Sequence, residues 1–144
     1  MKKGSLLGID YGERRIGLAI SDPEQKIAFG VTTIDVKNNS LWKYLEEIIK
    51  EENIVKLIVG YPLRTDGKES DKAKKVDNFI IELENHFSLP VAREDEAFTS
   101  SVAKDIIKNR ATKKKHKNMR TQKEEIDKLA ACILLQDYLD RNYT

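Results

Sequence analysis

Leu6-Leu7-Gly8-Ile9-Asp10-Tyr11-Gly12-Glu13-Arg14-Arg15-Ile16-Gly17-Leu18-Ala19-Ile20-Ser21-Asp22 is the stretch that decides the fold class. Ser5 to Asp10 is apolar up to its final carboxylate and reads as a buried β-strand. Arg15 to Asp22 sets large Ile16, Leu18 and Ile20 against small Gly17, Ala19 and Ser21, the period of two of a second strand. The connection Tyr11-Gly12-Glu13-Arg14 is short enough for an antiparallel hairpin. Ile27 to Ile34 alternates again, with Ile27, Phe29 and Val31 on one face. Three strands in a meander therefore open the chain.

Beyond them, Leu41, Leu45, Ile48 and Ile49 mark an amphipathic helix. Val55 to Tyr61 is an apolar run closed by Pro62, suited to a central parallel strand. Ala73, Val76, Ile80, Leu83 and Phe87 step by three and four and predict a second helix, and Pro90 to Glu94 a last strand. Val102, Ile106 and Ile107 support a short helix behind Thr99. Thr121-Gln122-Lys123-Glu124 fits a capping box opening the final helix, whose apolar face reads as Ile126, Leu129, Ala130, Ile133 and Leu134. This order predicts an α/β fold: a mixed five-stranded sheet with helices on both faces and the first strand central. All 144 residues, 1–144, are expected to form one domain.

A hydrophobic fraction of 40% supports a folded core, and no apolar run approaches the roughly 20 residues of a membrane span. Met1-Lys2-Lys3-Gly4-Ser5 leads straight into a strand without a signal-like apolar region, so a cytoplasmic protein is expected. The one cysteine, Cys132, sits among Ala130, Ala131, Ile133 and Leu134 as core filler, which removes disulfides and Cys-based metal sites. His86, near a helix end beside Phe87, reads as a capping or core residue.

Three carboxylates stand at the ends of core elements: Asp10 after the first strand, Glu96 after the last, and Asp127 at the opening of the final helix. A carboxylate there is costly to desolvate unless something pairs with it. Acids from separate elements suit a hard divalent ion, Mg²⁺ or Mn²⁺, and two such ions can clamp a phosphodiester for in-line attack by water. Each acid also has a plainer reading: Asp10 as a strand-exit turn, Glu96 as surface charge, Asp127 as a partner of the helix dipole.

Net charge is only +2, yet Lys104 to Lys123 holds Lys108, Arg110, Lys113, Lys114, Lys115, Lys117 and Arg120 against the lone acid Asp105. Without interleaved aromatics, Lys113, Lys114, Lys115, Lys117 and Arg120 offer salt-dependent phosphate contacts rather than base stacking. His116 in the same run reads as an exposed loop residue. Arg64 and Lys68, in the turn around Asp66-Gly67, are placed to hold a nucleic-acid backbone on the edge that carries Asp10. Ser21 and Asp22 belong at the far end of the sheet.

Gly8-Ile9-Asp10-Tyr11-Gly12 with Arg15-Ile16-Gly17, then Ile58-Val59-Gly60-Tyr61-Pro62-Leu63 with Asp66-Gly67, then Asp95-Glu96, then Ile126-Asp127-Lys128-Leu129-Ala130-Ala131 occur in order over nearly the whole chain. The set resembles the YqgF-type family of bacterial RNase H-like proteins. That family is described both as Holliday-junction resolvases and as nucleases maturing the 5′ end of pre-16S rRNA. The resemblance implies an RNase H-like fold, catalytic and metal-binding roles for Asp10, Glu96 and Asp127, and RNA or branched DNA as partner. A resolvase would further be expected as a symmetric homodimer. Where the family follows its Asp-Glu pair with Arg, this chain has Ala97, and Arg93 or a lysine of the basic run is the candidate substitute cation. Two other functions compete. An ATP-dependent phosphotransferase shares the Asp-x-Gly turn but needs two lobes, and a noncatalytic ribosome-assembly factor would use the basic run alone.

Overall fold

A computed structural model describes residues 4–62, 71–95 and 119–142, with the side chains of residues 119–122 outside the description. Eight elements are seen in chain order: β1 (Ser5–Tyr11), β2 (Arg15–Ser21), β3 (Ala28–Asp35), α1 (Leu41–Glu51), β4 (Ile54–Tyr61), α2 (Asp71–His86), β5 (Val91–Asp95) and α3 (Met119–Asn142). The short helix expected around Val102 to Ile107 lies outside the described residues.

The strands form one five-stranded sheet in the order β3-β2-β1-β4-β5. β1 pairs antiparallel with β2 and parallel with β4, so the first strand is central, as its apolar run requires. β2 pairs antiparallel with β3, and β4 parallel with β5. Leu7, Ile9, Ile16, Leu18, Leu57 and Val59 point to one face and pack under α1 and α2 through Leu45, Ile80 and Leu83. Leu6, Ala19, Ala28 and Ile58 point to the other, under Ala131, Leu135 and Leu139 of α3. A fully buried Leu or Ile side chain contributes about 2 kcal/mol, so these two cores dominate the fold. Asn53, in the left-handed region (φ 51°), ends α1 and turns the chain into β4, a conformation Asn tolerates better than most residues.

Three sequence expectations are corrected. α3 begins at Met119, so Thr121 lies inside its first turn rather than capping it; Met and Arg are good helix formers and nothing stops the helix at Thr121. The buried stripe of α3 is Ala130, Ala131, Leu134, Leu135 and Leu139, while Ile126, Leu129 and Ile133 are only half-buried. The helix is rotated because the sheet beneath it is cut away at glycine: a Cβ on Gly8 would lie 2.9 Å from Leu135 Cβ. Ile27, just before β3, and Phe29 on it are 54% and 55% exposed. They sit at the sheet's edge, and a bulge opposite Leu18/Ala19 shifts the pairing so that Val31 stands between the paired Gly30 and Thr32.

Candidate functional site

Asp10 is the last residue but one of β1, and its register partner on β2 is Gly17. Leu6, Gly8 and Asp10 alternate onto the α3 face of the sheet, as do Gly17 and Ala19 of β2. Residues directly opposite in an antiparallel pair have Cα atoms about 4.5–5.5 Å apart, so Asp10 stands beside a position that has no side chain. The α3 backbone fills that vacancy. A Cβ on Gly17 would lie 2.1 Å from the Asp127 carbonyl oxygen, so only glycine lets the helix come this close. The topology thus brings Asp10 and Asp127, 117 positions apart in the sequence, into one corner at the carboxyl end of β1.

Arg15 opens β2 on the same face, and its Nε donates to Asp127 Oδ2 at 2.9 Å, with both side chains largely shielded from solvent. Burial pushes the Asp127 carboxyl above its ordinary value; the Arg15 hydrogen bond and charge, with the Lys72 charge, pull against it, and the Glu124 charge adds to the rise. Desolvation wins, so this acid holds its proton more readily than a surface aspartate. The Arg15 contact engages only Oδ2. Asp10, the register partner of Gly17, and Asp127, whose backbone packs on Gly17, both carry oxygen donors, the class that hard divalent cations prefer.

Glu96, the third expected acid, lies outside the described residues, as do Ala97, Arg64, Lys68, Lys113, Lys114, Lys115, His116 and Lys117, and so does the side chain of Arg120. Among the described residues no group of three His, Cys, Asp or Glu side chains is placed to hold a metal ion. Arg93 does not serve the corner. It lies on the α2 face of β5, 3.3 Å from Asp77 and against the Tyr61 ring, because odd residues of β5 alternate away from α3. Among the described residues, Arg15 is a cation that bonds an expected acid, Asp127. Its sequence signal was limited to its place in the motif, since nothing local pairs residue 15 with residue 127.

One further feature went unread in the sequence. Glu94, on the α3 face of β5, is 3% exposed and pairs through Oε1 with Arg141 of α3, while its Oε2 has no hydrogen-bond partner among the described residues. Ser21 and Asp22 do lie at the far end of the sheet. Ser21 Oγ accepts the buried Leu6 N–H at 2.8 Å, and Asp22 accepts the N–H groups of Glu24, Lys26 and Ile27. His86 ends α2 with Nδ1 2.9 Å from the Glu82 carbonyl oxygen and its ring stacked on Trp42 at 4.0 Å, the capping role expected. Cys132 is half-buried against the α3-side core, and burial pushes its thiol up.

Comparison with known proteins adds three findings. A family model described as RuvX, Holliday junction resolvase, matches residues 4–141. A protein of Koribacter versatilis named "Putative pre-16S rRNA nuclease" is 37% identical over 139 residues, covering 96% of this chain and 88% of that one. A Sulfurihydrogenibium protein of the same name is 37% identical over 142 residues, covering 94% and 90%. Among solved structures, RuvC of Thermus thermophilus in complex with a Holliday junction substrate superposes with a TM-score of 0.52 at 13% identity, covering 98% of this chain and 97% of that one. The Fowlpox virus resolvase, solved with Holliday junction DNA, gives 0.55 at 15% identity, covering 97% and 99%. At such identities the likeness is one of fold, the RNase H-like fold of resolvases.

Proposed function

This chain belongs to the RuvX family, and from that premise we propose that it is a metal-dependent endonuclease that matures the 5′ end of pre-16S rRNA in the bacterial cytoplasm. The observation that supports the reading is Gly17, which has Asp10 as its register partner and the Asp127 backbone packed against it. In this reading Asp10, Glu96 and Asp127 hold Mg²⁺ or Mn²⁺ through carboxylate oxygens. Such ions, when bound, lower the pKa of a coordinated water and neutralise charge building on the phosphate. The chain's own part is positioning: Gly17 sets the depth of Asp127, Arg15 orients its carboxylate, and Arg64, Lys113, Lys114, Lys115, Lys117 and Arg120 hold the nucleic-acid backbone.

Resolution of four-way DNA junctions is the second reading, favoured by the family's description and by the two fold neighbours solved with junctions. It would require two copies acting on two strands. Incubation with Mg²⁺ or Mn²⁺ on a pre-16S rRNA fragment and on a four-way junction decides between them. Cleavage of the RNA alone, abolished by Asp10→Asn and by Asp127→Asn, is the expected result. Cleavage of the junction alone would select the resolvase, and binding of RNA with no cleavage of either would select a noncatalytic assembly factor.

A further inference from the structure

β3 is an edge strand, and its start lacks the charges and prolines that usually protect one. Ala28–Asp35 contains no Lys and no Pro, and its only charge is Asp35 at the far end. Lys26, just before it, is paired with Glu24. Ile27 and Phe29 are exposed on the face away from α3, since Ala28 between them belongs to the α3-side core. The Asp22 N–H donates to the Ile27 carbonyl at 3.1 Å, so Ile27 turns its backbone toward β2. Lys26 and Ala28 therefore turn theirs outward.

Such an edge fits a second copy of itself. Antiparallel pairing about a two-fold axis at Ala28 would exchange both N–H···O bonds between the two Ala28 residues. The same register sets Ile27 of each copy opposite Phe29 of the other, an aliphatic–aromatic cross-strand pair. Beyond Gly30 the bulge ends the regular edge.

α3 occupies that place instead. Gln136 Oε1 accepts the Ala28 N–H at 2.9 Å, and Gln136 Nε2 donates to the Lys26 carbonyl at 2.9 Å. One residue of a parallel neighbouring strand bonds in the same way, giving and taking at positions two apart. Cys132 Sγ donates to the Ala28 carbonyl at 3.4 Å, so both backbone groups of Ala28 are engaged. The amide has one usable orientation. Nε2 also donates to Asp140 Oδ1 at 2.9 Å, and a flipped amide would set its oxygen against two acceptors.

We propose that Gln136 is a latch: it stands in for a sixth strand and bars a second copy of this chain from β3. The inference is independent of the nuclease reading. It requires that the two copies called for by junction resolution meet on another surface. Hydrogen exchange and analytical ultracentrifugation of the intact protein test it. In wild type the Ala28 amide should be protected in dilute solution, and its protection should not change as concentration rises. Gln136→Ala opens the edge while keeping the helix, since Ala is the best helix former. That variant should self-associate about tenfold more tightly than wild type, the ratio given by roughly one net hydrogen bond that no longer competes. Its Ala28 amide should exchange faster when dilute and slow again as the protein associates. Adding Phe29→Lys, at an exposed position, should return association to the wild-type value by placing a charge in the pairing. A wild-type Ala28 amide that exchanges freely, or gains protection with concentration, would overturn the proposal without recourse to any variant. So would a Gln136→Ala protein that associates no more than wild type, or one whose added association survives Phe29→Lys. None of these readouts involves cleavage, so the nuclease reading stands or falls separately.

Discussion

One methyl group at position 17 would meet the Asp127 carbonyl oxygen at 2.1 Å, a contact that backbone cannot accommodate by rotating a side chain. Gly17→Ala should therefore cost about 1–3 kcal/mol in a urea titration and weaken divalent-ion binding by calorimetry, as the helix is pushed off the sheet. Arg15→Gln removes the group that opposes desolvation of Asp127. A ¹³C carboxyl titration of metal-free protein should show Asp127 losing its proton at still higher pH than in wild type. At the far end of the sheet, slight burial raises the Asp22 carboxyl but the N–H groups of Ile27, Lys26 and Glu24 bring it below its ordinary value. A depressed acid stabilises the fold above the unfolded-state value and loses that contribution as pH falls through the folded one. Screened by solvent, Asp22→Ala should cost no more than about 1 kcal/mol at neutral pH, and the gap from wild type should shrink under acid conditions, read from urea midpoints against pH. Asp10 and Asp127 were legible as candidates because a charge at the end of an apolar run is anomalous in one dimension. Arg15 as the partner of Asp127 was not, since the pairing exists only once β2 and α3 have met.

Among the elements, α3 carries the lesson about what periodicity can show. Its sequence supports several adjacent apolar stripes, and the one buried is chosen by what lies underneath: Gly8 and Gly17, which favour Ala131, Leu135 and the Asp127 backbone. The strands of the meander and the parallel β4 were readable, because alternation or continuous apolarity is a property of the strand itself. The exposure of Ile27 and Phe29 was not, because it depends on β3 being an edge strand whose later residues Val31 and Ile34, but not its start, pack against the α1–α2 core. α3 is also tied to β5 by Arg141 and the buried Glu94. Arg141→Ala should leave both carboxylate oxygens of Glu94 without a cation and cost about 1–3 kcal/mol by thermal or chemical denaturation. Adding Glu94→Gln should recover part of the loss. If Arg141→Ala proves neutral, the pair contributes nothing to docking the helix.

For the whole molecule, β1 and β4 form the centre of the sheet, with helices over both faces, and β3 forms one edge. Native-state hydrogen exchange should therefore find the slowest amides in β1 and β4 and faster ones along β3, with protection spanning several kcal/mol between them. Uniform protection across the five strands would contradict the layering described above. The covering of the β1–β2–β3 meander by α3 has a consequence in time. A chain leaves the ribosome from its amino end at about 5–20 residues per second, and all five strands precede α3. Until the helix emerges, Leu6, Ala19 and Ile58 lie bare and the corner holds Asp10 without Asp127. A nascent chain thus cannot bring Asp127 to the sheet before the segment that forms α3 has been made. If ribosomal RNA is what the finished protein cuts, the machine that builds it is spared by the order in which the parts arrive.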